Sequence, residues 1–271
     1  MIAAQEATPR MIAVMGVILL LGACGACVLV ATLFIREKLW PPPRPENPGE
    51  AADWPWKTLF LVPLMIALQI GLMAGLAALG IEIANGLQFA VVGVAAALEV
   101  AVIWLVCCRS RRKPVSSLGL RRPAATWQVV TAPVAAYALA IGAMIIWASV
   151  RIIFLPETTT SVQKALESFN TVRPGIDRVL VGLVVAFVAP IAEEVVFRGY
   201  LFRMLRHRWG VAAGVLVSAA VFAAVHGEPL YMPPLFVIGV LLALLVQVTG
   251  SLYPAMVLHA IVNGMTVALL I

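Results

Sequence analysis

Apolar residues run along this chain in long uninterrupted stretches separated by short polar breaks. The stretches cover Met11 to Ile35, Thr58 to Gly80, Leu87 to Val106, Val129 to Leu155, Val179 to Arg198, Val211 to His226, Leu230 to Val248 and Leu252 to Ile271. Most approach the ~20 residues that an α-helix needs to cross the ~30 Å hydrocarbon core of a bilayer. The runs are continuous rather than alternating, so they predict helices and not the strands of a membrane barrel. The predicted fold class is therefore all-α, a polytopic transmembrane bundle of about eight helices.

Composition agrees, because 62% of residues are hydrophobic and 12% charged, more apolar material than a soluble domain of this length uses. The formal net charge of +6 would suit a nucleic-acid binder if it formed a patch. It falls instead into particular loops: Arg36, Lys38, Arg44 and Lys57; Arg109, Arg111, Arg112, Lys113, Arg121 and Arg122; Arg198, Arg203, Arg206 and Arg208. By the positive-inside rule these loops face the cytoplasm and both termini lie outside. The predicted partners are the lipid bilayer and a substrate within it, with no nucleic acid.

Cys24, Cys27, Cys107 and Cys108 make neither a disulfide framework nor a zinc cluster and read as small apolar filler. Leu21 to Cys24 imitates a lipoprotein cleavage site, but the run continues to Ile35, as a retained span would. Proline is dense from Pro41 to Pro55, where Trp40, Trp54 and Trp56 predict a loop with its indoles at headgroup level. The basic loop from Cys107 to Trp127 should lie against anionic lipid. Between Pro156 and Asp177 the chain turns polar, with a short amphipathic helix expected through Leu166 and Phe169. This break divides the chain into an amino-terminal part, 1–175, of about four helices and a carboxy-terminal core, 176–271, of about four more. No inverted repeat of the kind found in many transporters is visible.

Polar groups inside hydrocarbon are costly, and those that remain are functional candidates. They concentrate in the second part: Glu193, Glu194 and Arg198 in the fifth run, Phe222 and His226 at the end of the sixth, His259 and Asn263 in the eighth. Glu194 and Arg198 are four residues apart and can pair on one helix face. Glu193 sits about 100° around the same helix, free to face a cavity. A turn near Trp209 and Gly210 would bring Glu193 and His226 to similar depth. His259 and Asn263 again share a face, so all four groups can meet in one water-accessible pocket in the cytoplasmic half or middle of the bilayer. Pro190, three residues before Glu193, removes a backbone donor and should kink or open the helix there. A carboxylate and a histidine at one depth can deprotonate water, while a second histidine and an amide can donate to an oxyanion. The alternative is that the same groups are interhelical hydrogen bonds holding the bundle together.

The ordered set Glu-Glu-x-x-x-Arg at Glu193 to Arg198, Phe-x-x-x-His at Phe222 to His226 and His-x-x-x-Asn at His259 to Asn263 resembles the CAAX protease and bacteriocin-processing family. This family is also called the CPBP or Abi family of intramembrane proteases. The resemblance implies an endopeptidase of a bacterial cytoplasmic membrane acting on a membrane-associated or lipidated peptide or protein. It implies that Glu193 and His226 activate water, that His259 and Asn263 line the oxyanion hole, and that Glu194, Arg198 and Phe222 support the site. No cofactor is required in this reading, although Glu193, His226 and His259 offer a two-histidine, one-carboxylate set for zinc. The rivals are a noncatalytic immunity or regulatory membrane protein and, third, a proton-coupled transporter.

Remaining polar residues have plainer expectations. His207 should be solvated, Glu228 should mark the membrane edge, and Glu99 should pack against a polar group of another helix. No serine elbow or serine-lysine pair appears, which disfavours serine chemistry.

Overall fold

The computed structural model describes residues 51–78, 87–154, 172 and 175–270. The first apolar run with Cys24 and Cys27, the loop from Trp40 to residue 50, and the amphipathic helix through Leu166 and Phe169 lie outside the described residues. The described residues are helical and contain no strand, so the fold is all-α.

A 3-10 turn, Trp56–Phe60, leads into α1, Leu61–Ala78. Helix α2, Leu87–Ile103, ends in a π-helical turn, Trp104–Arg109, and a short 3-10 turn follows at Val115–Leu118. Helix α3 spans Gln128–Phe154. The fifth predicted run begins with α4, Ile176–Leu183, passes through a π-helical stretch, Val184–Val188, and continues as α5, Ala189–Glu194. A second π-helical stretch, Val195–Phe202, joins α5 to α6, Arg203–Val225, which is broken by the non-helical backbone of Gly210. Helices α7, Met232–Thr249, and α8, Tyr253–Leu270, complete the chain.

Among the described residues, three segments are long and apolar enough to cross a membrane: Gln128–Phe154, Ile176–Val225 with its break, and Pro229–Thr249, with Trp56–Leu68 and Tyr253–Ala268 as shorter apolar helices. The protein is an integral membrane protein. The break at Gly210 falls where the turn was expected, but the helical path before it runs well past Arg198, where the fifth span was predicted to end. Around Pro190 the helix departs from α geometry, with the π-helical stretch Val184–Val188 just before it.

Helices α6 and α7 pack along each other, and α8 lies against α3, α7 and the 184–188 stretch. Small residues set the closest approach: a Cβ on Gly239 of α7 would meet the Cα of Ala219 in α6 at 3.0 Å. One hydrophobic core joins both parts of the chain, from Trp54 and Leu118 to Phe202, Leu242 and Leu258.

The basic loops gather at one end of the bundle, but several are built in rather than spread on lipid. Arg203 is fully buried and donates from Nε to the Ser117 carbonyl at 2.8 Å. Arg121 donates to the Gly250 carbonyl at 2.8 Å, and the Leu252 amide donates to the Gly119 carbonyl at 2.9 Å. The Val115–Leu118 turn is wedged against Gly199, whose Cβ, if present, would stand 2.9 Å from the Leu118 carbonyl oxygen. Trp54 corrects the expectation of a headgroup anchor: it is fully buried, donates to the Cys107 carbonyl at 3.1 Å and packs on Tyr200 at 5.4 Å. Trp56 is the exposed indole, lying against Trp209 at 5.3 Å and under the Arg208 guanidinium at 4.6 Å. His207 is exposed as expected.

Candidate active site

Arg198 and Glu194 are completely buried, and the guanidinium donates to Glu194 Oε1 at 2.9 Å. A second donation from Arg198 reaches the Gly239 carbonyl at 3.3 Å. Glu194 Oε1 also accepts from His259 Nδ1 at 2.9 Å. One carboxylate oxygen therefore receives both cation and imidazole, an arrangement that fixes the His259 ring and directs its Nε2 away from Glu194. That Nε2 stands 3.8 Å from Glu193 Oε2, too far for a direct hydrogen bond.

Phe222 lies at the centre of this group. Its ring is under the Arg198 guanidinium at 4.2 Å, edge-on to Phe197 at 5.4 Å, and 4.7 and 5.6 Å from the His226 and His259 rings. Its carbonyl accepts from His226 Nδ1 at 2.7 Å. A carbonyl can only accept, so His226 carries a proton on Nδ1, and in the neutral ring Nε2 keeps its lone pair.

Asn263 Nδ2 donates to the Val185 carbonyl at 3.0 Å. In the π-helical stretch the Ala189 amide bonds back five residues to the Val184 carbonyl. The next bond in that register would run from residue 190 to Val185, but Pro190 has no N–H. The side chain of Asn263 takes its place.

Burial falls off from Glu194 and Arg198 at the base, through His259, to half-buried Glu193 and Asn263 and exposed His226. Two adjoining cavities receive these side chains. Glu193 and His226 line one of about 590 Å³ with otherwise apolar walls apart from Glu99. His226, His259 and Asn263 line a second of about 200 Å³. His226 is common to both. Leu252, beside Gly199 at the level of the basic loops, precedes His259 by seven residues, so the site lies about 10 Å along α8 from that layer.

Among the described residues, no three histidine, cysteine, aspartate or glutamate side chains come together as metal ligands. Spacing alone foretold the Glu194–Arg198 pair and the cavity-facing Glu193. It did not foretell the Glu194–His259 bond, which joins α5 to α8, nor Glu99 in the cavity wall. Glu228, expected at the membrane edge, precedes the Pro229–Tyr231 turn at the end of the bundle.

Residues 175–265 match the family model described as type II CAAX prenyl endopeptidase Rce1-like. That segment, about the carboxy-terminal third of the chain, is similar to the CAAX protease family, the family that the three motifs resemble. No curated protein and no solved structure matches the chain.

Proposed function

We propose that the chain is an intramembrane endopeptidase that hydrolyses a peptide bond of a membrane-associated or lipidated substrate, using water activated by Glu193 and His226. The observation that carries this reading is the shared wall of one cavity: Glu193 from α5 and His226 from the end of α6, far apart in sequence, face the same 590 Å³ space. Its size falls within the roughly 300–1,000 Å³ of ligand pockets, and its walls are mostly apolar, as a lipophilic peptide requires.

In this mechanism the His226 Nε2 lone pair accepts one hydrogen of a water while Glu193 takes its other proton as the oxygen attacks the scissile carbonyl. The second hydrogen of the Asn263 amide, and Nε2–H of His259 when both its ring nitrogens are protonated, donate to the oxyanion. Glu193 then passes its proton to the departing amine as the C–N bond breaks, so no covalent enzyme intermediate forms. Glu194 and Arg198 hold His259 and do not touch the substrate. The gathering of basic loops at one end supports an orientation with that end in the cytoplasm and both termini outside, in a bacterial inner membrane.

The test is cleavage of a candidate membrane peptide by the purified full chain and by Glu193→Gln and His226→Ala. General-base catalysis typically contributes about 10²–10⁴-fold, so each variant should lose at least about a hundredfold in rate while melting near the parent temperature. Undiminished cleavage by well-folded variants would overturn the proposal and leave a noncatalytic immunity or regulatory role as the better reading.

A further inference from the structure

Among the described residues, the wall of the 590 Å³ cavity has two carboxylates and no lysine or arginine. Glu193 enters from α5, and Glu99 enters from α2, which packs against it. The contrast with Glu194 is sharp, because that carboxylate receives Arg198 and His259 within the fold. Glu99 has no hydrogen-bond or ion-pair partner among the described residues, and Glu193 Oε2 is a buried oxygen without a hydrogen bond. Among the described residues, the other wall residues, among them Val62, Met65 and Ile70, offer no side-chain donor, so the polar counterparts are the imidazoles of His226 in the wall and of His259, whose Nε2 is 3.8 Å from Glu193 Oε2. Charge in such a space is stabilised by an opposite charge brought in with the guest.

We propose that Glu99 is a specificity-determining residue, which selects a substrate carrying a lysine or arginine side chain beside the scissile bond. The inference rests on the reading that this cavity receives the substrate. Apolar walls would hold the flanking residues and the aliphatic stem of the basic side chain, and its head would meet the Glu99 carboxylate. Glu193 then remains available to the water, because Glu99 supplies the counter-charge. Glu99 lies outside the segment that matches the family model, so this preference belongs to the amino-terminal part of the chain.

The experiment uses the full chain in detergent with three apolar peptides of about 20 residues, identical except for a central lysine, norleucine or glutamate. Competition binding and cleavage are both measured, for the parent protein, Glu99→Gln and Glu99→Lys. The parent should bind the lysine peptide about tenfold more tightly than the norleucine peptide. Glu99→Gln should bring that ratio close to one, and Glu99→Lys should shift the preference to the glutamate peptide. If no peptide is cleaved but these ratios change as stated, the selectivity stands and the protease reading falls. Equal binding of all three peptides by the parent, or a lysine preference that survives in Glu99→Gln, would overturn the inference. Circular dichroism and melting of each variant ensure that the comparison is made between folded proteins.

Discussion

Asn263 donates its side-chain amide to the carbonyl of Val185 at 3.0 Å, filling the backbone position that Pro190 leaves empty. A side chain on the last helix thereby completes the hydrogen bonding of the helix that carries Glu193. An unmet carbonyl in this environment costs about 1–3 kcal/mol, so Asn263→Ala should destabilise the protein by that amount. In a Pro190→Ala background the restored N–H can serve Val185, and the same Asn263→Ala change should cost less. A double-mutant cycle read by detergent melting measures the coupling; full additivity would show that the two positions are independent.

Phe222 is 1% exposed and contacts both histidines. Phe222→Ala should cost about 3–5 kcal/mol, as large aromatic truncations in cores do. Phe222→Leu keeps most of the volume and the backbone carbonyl that binds His226. It forfeits the ring contacts and the cation–π stacking of Arg198, on the order of 2 kcal/mol together. Its rate of cleavage should fall further than its stability, because the histidines lose the ring that orients them. Parallel melting and rate measurements separate the two effects.

Removing one partner from the buried Glu194, Arg198 and His259 group leaves an uncompensated charge, so Glu194→Ala and Arg198→Ala should each cost about 3–5 kcal/mol. Arg198→Lys retains the charge but cannot reproduce the planar fork that reaches both Glu194 and the Gly239 carbonyl. Its melting temperature should fall between those of the parent and Arg198→Ala. A lysine variant as stable as the parent would show that charge alone is sufficient there.

Asp53 pairs with Lys113 at 2.7 Å in the loop layer. The hydrogen bond from Lys113 holds the Asp53 carboxyl below its usual range. A depressed folded value means that the pair's contribution is present above the ordinary carboxylate pKa of about 3.9 and is lost as pH falls through the lower folded value. The Asp53 side chain is 56% exposed, so solvent screening limits the effect to below about 1 kcal/mol. Asp53→Asn should melt slightly below the parent at pH 7, and the difference should vanish near pH 2. A constant gap at both pH values would assign the effect to something other than this ionisation.

The helical spans and the site motifs were legible because hydrocarbon imposes long apolar runs and makes every polar residue within them conspicuous. Glu194 and Arg198 share a helix face by spacing alone, and the structure has them paired. What the sequence did not disclose depends on contacts between distant segments. Trp54 reads as an interfacial indole because proline and tryptophan surround it, yet a donor site at Cys107 and a ring surface at Tyr200 draw it inside. Nothing local marks Glu194 as the partner of His259, since two helices must be placed before either distance exists. The loop from Cys107 to Trp127 reads as a cationic surface segment, although Ser117 and Leu118 within it are buried.

The wedge of Val115–Leu118 against Gly199, and the Trp54 indole against Tyr200, tie the motif-bearing third to pieces encoded far upstream. Chemistry and foldability therefore have different boundaries along this chain. A graft of residues 175–265 onto a foreign amino-terminal scaffold would leave the Arg203 guanidinium and the Tyr200 hydroxyl facing hydrocarbon, without the Ser117 carbonyl and Thr58 hydroxyl that now receive them. To stay soluble in the bilayer, such a chimera must import both upstream pieces along with the motifs.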